Sequence, residues 1–280
     1  MRPSAGDVPL ASASPQSTGG AGAATVAARY GPSPLQAYNL TPDENATIVN
    51  ATNALVGACM AEQGYTYTPD DSSTTAGAST DWDRYLGLVD AAQAADYGYW
   101  LPGSPAGGAR EKEEAEALAR EQNLSAQDEA YRAALLGPDF PEVSPDACYP
   151  RSSSALIPSG PTPNLSIQAD LFDTATARAQ ADAAVVAARA AWQSCMADHG
   201  YDLSEIPLPS ADADRSAAVV AQAIADVGCK DSSGLTDTYI TTLYAAERAA
   251  IEERLSDVQA YRAYVDERLR MAAQALTDAG

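Results

Sequence analysis

Cys59-Met60-Ala61-Glu62-Gln63-Gly64-Tyr65 and Cys195-Met196-Ala197-Asp198-His199-Gly200-Tyr201 are two copies of one pattern, Cys-Met-x-x-x-Gly-Tyr. The pattern describes the end of a helix. A cysteine sits one turn from the terminus, glycine supplies the left-handed residue that stops the helix, and tyrosine folds back onto the last turn. Two of the four cysteines lie inside the copies, and Cys148 and Cys229 follow one copy each. Four cysteines allow three pairings. The pairing Cys59–Cys148 with Cys195–Cys229 keeps each bridge within its own repeat and is the expected one. The alternative is four buried free thiols in a reducing compartment. None of the four forms a CxxC pair, which argues against zinc ribbons and thioredoxin-like sites. Stable bridges imply an oxidising compartment outside the cytoplasm.

Working outward, the first copy closes a helix with a clear start. Thr41 is placed to cap it, Pro42 fits the first helical position and Glu44 completes a capping box. The second copy closes a run from about Leu171 to His199. After each copy the chain becomes extended (65–69 and 201–207), where short strands are expected. Helices are expected over 82–96 and 110–136, the second breaking near Ser125. A Pro- and Ser-rich stretch from 138 to 163, with Cys148 in its middle, marks the boundary between repeats. A helix starting at Ser210 or Asp212 runs to Cys229. Beyond it, a very long helix runs from about Thr236 to Thr277, with apolar positions at 251, 255, 258, 265 and 269 in near-heptad spacing. Forty helical residues span roughly 60 Å, so this helix either crosses the whole protein or projects from it. Residues 1–40 are rich in Ala, Ser, Gly, Pro and Thr, without hydrophobic periodicity, and read as a disordered tether.

The fold expected is therefore mainly α, with few or short strands. It has two related helical halves, 41–160 and 161–280, each closed by a disulfide, and the second carries the long C-terminal helix.

Composition narrows the functional classes. The 280 residues carry 17 basic and 38 acidic side chains, a net charge of −21. Such a charge repels phosphate backbones and anionic membrane surfaces, so nucleic-acid binding is not expected. No stretch is apolar enough for a membrane span, and no signal peptide is visible at Met1-Arg2-Pro3; if the protein is exported, a signal is expected to have been removed. Of the basic residues only Lys112 and Lys230 are lysine.

Few residues point to chemistry. With His199 the only histidine, no relay of two imidazoles exists. Cys195 and His199 share a helix face and are soft ligands at a usable spacing, but Gln63 takes the histidine position in the first copy and a bridge would occupy Cys195. No resident metal or cofactor is expected. Glu111, Glu113, Glu114 and Glu116 read as a solvated face, and the carboxylates of the last helix as surface pairs with arginine. No catalytic residues are assigned. The best recognition candidates are Tyr97, Tyr99 and Trp100, aromatics beside glycine and proline that either form a platform or close a core.

The doubled Cys-Met-x-x-x-Gly-Tyr, together with Ala225-Asp226-Val227-Gly228-Cys229-Lys230 before a long helix, resembles a group of uncharacterised secreted proteins and lipoproteins of actinobacteria. The resemblance spans roughly 41–280. It implies export, often with a lipid anchor in the precursor, and brings no catalytic residues. The expected function is non-enzymatic: an extracytoplasmic envelope interaction or accessory protein, contacting a cell-envelope protein or cell-wall component through the long helix or an aromatic groove. An extracytoplasmic small-molecule binder with a site between the halves is the alternative, and an acidic hydrolase the third reading.

Overall fold

A computed structural model describes residues 28–69, 83–100, 129–139, 142–210 and 212–279. Among them are ten α-helices, one 3₁₀ turn (Pro34–Tyr38) and no strand. The helices are α1 (Pro42–Glu62), α2 (Asp83–Leu86), α3 (Ala91–Tyr97), α4 (Glu129–Leu136), α5 (Cys148–Ala155), α6 (Ile167–Ala181), α7 (Ala183–Asp198), α8 (Ala217–Ser232), α9 (Leu235–Glu253) and α10 (Leu255–Ala279). The mainly helical, disulfide-closed fold read from the sequence is the fold found. The expected strands after the two motifs are not formed. The nearest thing to a sheet is one isolated parallel bridge between Trp100 and Ser210.

Both motif helices end alike. Gly64 and Gly200 adopt φ of 84° and 86°. Tyr65 N–H donates to Met60 O and Tyr201 N–H to Met196 O, each at 2.9 Å, while Gly64 and Gly200 donate to Ala61 O and Ala197 O at 3.0 and 2.9 Å. These pairs of bonds are the Schellman arrangement, which satisfies carbonyls the helix leaves open. Tyr65 packs beside Val56 and Met60, and Tyr201 beside the cluster that contains Met196. Both bridges form in the expected pairing, each with a Cα–Cα distance of 5.6 Å.

At the start of α1 the capping box is complete. Glu44 N–H donates to Thr41 Oγ1 (3.2 Å) and Thr41 N–H to Glu44 Oε2 (2.8 Å). Glu44 also accepts from Arg262 of α10, so the cap doubles as a clamp between the two helices. The Arg262 hydrogen bond, followed by that from the Thr41 backbone, holds the Glu44 carboxyl below its ordinary range. A carboxyl whose folded pKa is depressed adds stability above its unfolded pKa, about 4.3, and loses it as pH falls through the folded value. Glu44→Gln is therefore expected to flatten the acid limb of the stability–pH curve below about pH 4.3 while leaving its shape near neutrality unchanged, as followed by thermal melts across pH.

Three expected runs are interrupted, each for a local reason. The 171–199 run divides at Asp182, an extended residue (φ −65°, ψ 132°) whose carboxylate caps α7 by accepting from Ala184 N–H at 2.8 Å. Asp favours this cap over a helix interior. The 82–96 run divides at Gly87 (φ +58°), where an added Cβ would lie 2.4 Å from Pro207 O. Only glycine combines this φ with such an approach. The long terminal helix divides at Arg254 (φ −123°, ψ 29°), whose guanidinium pairs with Asp257 and with Asp170 of α6. In addition, α8 begins at Ala217, capped by Ser216, rather than near 210–212. The remainder of the expected 110–136 run, including Ser125 and Glu111–Glu116, lies outside the described residues.

The core centres on α9. Tyr239, Ile240, Leu243 and Tyr244 pack with Ala175 and Ala179 of α6, Trp192 and Met196 of α7 and Leu86 of α2. Along the second half of the terminal stripe, Ile251, Val258, Tyr261 and Val265 pack with Ile167 and Leu171 of α6 and Leu35 of the 3₁₀ turn. Further on, Ala272 meets Ile48 and Ala51 of α1 and Leu156 after α5. The stripe of α9–α10 is thus buried within the chain and does not project, although Leu255 and Leu276 face solvent.

The halves 41–160 and 161–280 do not separate cleanly along the sequence. Among the described residues, the Val56–Met60–Leu135–Cys148 cluster alone belongs entirely to the first half. α1 lies on α10, and α3 lies on α8. Nor is the whole of 1–40 loose. Of the expected tether, 28–40 are described, and they are fastened to α9. Arg29 pairs with Asp237 at 2.7 Å, Tyr30 hydrogen-bonds the same carboxylate, Ser33 Oγ donates to Glu247 at 2.7 Å, and Tyr244 hydroxyl donates to Gly31 O. A short helical turn and the apolar Leu35 give this segment something to bury, which its composition concealed.

A candidate recognition ledge above a buried charge network

The turn closing α3 is held from several sides. Gly98, at φ +62°, lets the chain reverse, and its N–H donates to Ala94 O. A Cβ there would touch Val220 of α8 at 3.4 Å, so the turn sits tightly on that helix. Ser210 N–H donates to Tyr99 O at 2.9 Å, and Trp100 N–H to Tyr97 O at 3.2 Å. The alternation of the turn then sends Tyr99 inward and leaves Tyr97 and Trp100 half-exposed.

Tyr99 reaches a charge network enclosed by α3, α7 and α8. Asp226 and Lys230 are fully buried on one face of α8. Lys230 Nζ donates to Asp226 Oδ2 at 2.7 Å and to Leu88 O at 2.8 Å. Trp192 Nε1 donates to Asp226 Oδ1 at 2.9 Å, and Tyr99 hydroxyl to Oδ2 at 3.2 Å. Burial pushes the Asp226 carboxyl up and the Lys230 amine down, and their mutual attraction opposes both shifts. Burial, then the Asp226 charge, pushes the Tyr99 hydroxyl well above its ordinary value. The carboxylate's two oxygens accept three hydrogen bonds, the condition under which a buried charge is tolerated. Enclosed as it is, this network offers no reacting atom to a substrate. It ties the 88–99 segment to α7 and α8 and so positions what lies above it.

On the outside, the Trp100 ring lies 5.6 Å from Tyr97, tilted by 47°, and the Arg215 guanidinium sits 4.6 Å from its centroid. The result is a half-exposed aromatic surface with a charged planar group stacked on it, mounted on a fixed turn. Of the three aromatics expected to contact a ligand, Tyr97 and Trp100 occupy this ledge, whereas Tyr99 is 5 % exposed and belongs to the core network. The sequence reading missed Arg215, which nothing in its neighbourhood marks. It also missed the pairing of Asp226 with Lys230, although opposite charges four apart inside Ala225–Lys230, one of only two lysine positions, were a usable signal.

The four cysteines form the two bridges. No helix among the described residues is long and apolar enough to cross a membrane. Comparison with known proteins found no matching family model, no matching curated protein and no matching solved structure.

Proposed function

We propose that this chain is a non-enzymatic extracytoplasmic accessory protein of the actinobacterial cell envelope. In this reading the Tyr97–Trp100–Arg215 ledge contacts a cell-wall component or envelope protein. The carrying observation is the ledge itself. Trp, Tyr and Arg are the side chains that dominate binding hot spots, and here they are stacked and fixed before any partner arrives. Two bridges fit an oxidising compartment. The terminal stripe is buried against α1 and α6, which favours the ledge over the long helix as the contact.

The test is co-sedimentation of the purified chain with isolated actinobacterial cell walls, stripped and unstripped of protein. Trp100→Ala and Arg215→Ala are expected to keep the helical signal and weaken retention, Trp100→Ala by roughly 30-fold if it contributes the ~2 kcal/mol of a hot-spot residue. Retention of both variants at the wild-type level, or no retention of the wild type on either preparation, refutes the reading.

A further inference from the structure

The residue four positions after each motif cysteine does the same thing in both copies: it reaches across to the distal sulfur of the bridge. In the first copy it is Gln63, whose Nε2 lies 3.1 Å from Cys148 Sγ. In the second it is His199, whose Nδ1 lies 3.8 Å from Cys229 Sγ. The same geometry thus places an amide, a poor metal ligand, at one bridge and an imidazole at the other. The ligand atoms of Cys195, His199 and Cys229 all lie within 4.8 Å of one another.

We propose that the Cys195–Cys229 bridge is a redox-gated zinc site. Opened by a dithiol reductant, it leaves Cys195, Cys229 and His199 to hold one zinc(II) ion. The two bridges differ in access. Cys59 and Cys148 are 5 % and 0 % exposed, whereas Cys195 is half-exposed beside an exposed His199. Exchange by an external thiolate therefore favours Cys195 as the sulfur attacked. Attack there breaks the S–S bond, forms a mixed disulfide on Cys195 and releases Cys229 as thiolate, 3.8 Å from His199 Nδ1. The reductant's second thiol then resolves the mixed disulfide. Two electrons and two protons pass to Cys195 and Cys229, and the reductant leaves as its own disulfide.

The thiols then have nowhere to go. Trp192 and Asp226, each three residues before one of the cysteines, are joined by a buried 2.9 Å hydrogen bond between α7 and α8. Met196 and Leu235 pack the same pair of helices from the core side. The opened cysteines stay near their 5.6 Å Cα separation. Two thiolates and one imidazole are the donors zinc favours, with water completing the tetrahedron. Binding releases both thiol protons to solvent. His199 Nδ1 lies 2.9 Å from Cys195 O, a contact that places a proton on Nδ1. Zinc shifts that proton to Nε2 and takes the Nδ1 lone pair, giving up the carbonyl contact.

The experiment uses the full chain treated with a graded dithiol under native conditions. Alkylation mapping reads which bridge has opened, circular dichroism reads the fold, and native mass spectrometry with added zinc reads the ion. Cobalt(II) serves as a spectroscopic probe through its thiolate charge-transfer band. Expected are selective opening of 195–229 with helicity retained, one zinc per chain, and a cobalt band. His199→Gln, which recreates the first copy's arrangement, is expected to open equally and bind zinc at least ~100-fold more weakly, beyond the effect of losing a mere outer partner. Unfolding on opening of 195–229 alone, prior opening of 59–148, no bound zinc with both thiols free, or equal zinc affinity in His199→Gln each overturns the proposal.

Discussion

Asp226→Ala is expected to lower the unfolding free energy by roughly 3–5 kcal/mol, because it strands a buried ammonium. In the native chain Lys230 Nζ has the Asp226 carboxylate at 2.7 Å and one backbone carbonyl. Without the carboxylate, the fully buried amine either stays charged without its counter-ion or loses its proton, and Trp192 Nε1 and the Tyr99 hydroxyl lose their shared acceptor. Lys230→Met is expected to be similarly damaging, since it leaves Asp226 charged and enclosed. Asp226→Ala with Lys230→Met should be far less destabilising than the sum of the single changes, as removing both members of a buried pair leaves no uncompensated charge. Denaturant unfolding of the four proteins decides the matter. An Asp226→Ala loss below about 1 kcal/mol would show that the network contributes no more than an exposed pair does.

Replacing Cys59 and Cys148 together by alanine is expected to destabilise the fold by roughly 4.6 kcal/mol, against roughly 3.8 kcal/mol for Cys195 and Cys229, in the chain-entropy description. The difference follows from sequence separations of 89 and 34. The structure gives a second reason for the same order. The first bridge joins α1 to α5 within a small cluster, whereas α7 and α8 are also held by Trp192–Asp226 and by the main core. Reversible unfolding of the two double variants, compared with the wild type, checks both the size and the order. A larger loss at 195–229 would contradict both reasons.

Helix ends were the most legible part of this chain, because each is dictated by a few adjacent residues. Thr41-Pro42-Asp43-Glu44 and the two Gly-Tyr stops required no tertiary knowledge, and the bridges followed from the stops. The interruptions were harder. Asp182 and Arg254 sit in continuous helical patterns, and what breaks the helix there is a side chain finding a better partner, at Ala184 in one case and at Asp257 and Asp170 in the other. Gly87 carried a hint, but the reason for it, Pro207 O, is distant in sequence. The ledge was legible by halves. Its aromatics were conspicuous, yet which of them faced inward depended on Asp226, more than a hundred residues away. The interleaving of the halves left no mark, since an alanine-rich helix face such as that of α1 looks the same whatever covers it.

That α1 rests on α10 also fixes an order of events. Chain emerging amino end first from a ribosome or an export channel presents Ile48 and Ala51 long before Ala272 exists to meet them. Contacts so remote in sequence close late and slowly. The 59–148 crosslink needs only the first half of the chain, so it can form while that face of α1 is still bare. A chain cut short before 255 is therefore expected to leave Ile48 and Ala51 uncovered and to be sticky along that side of α1.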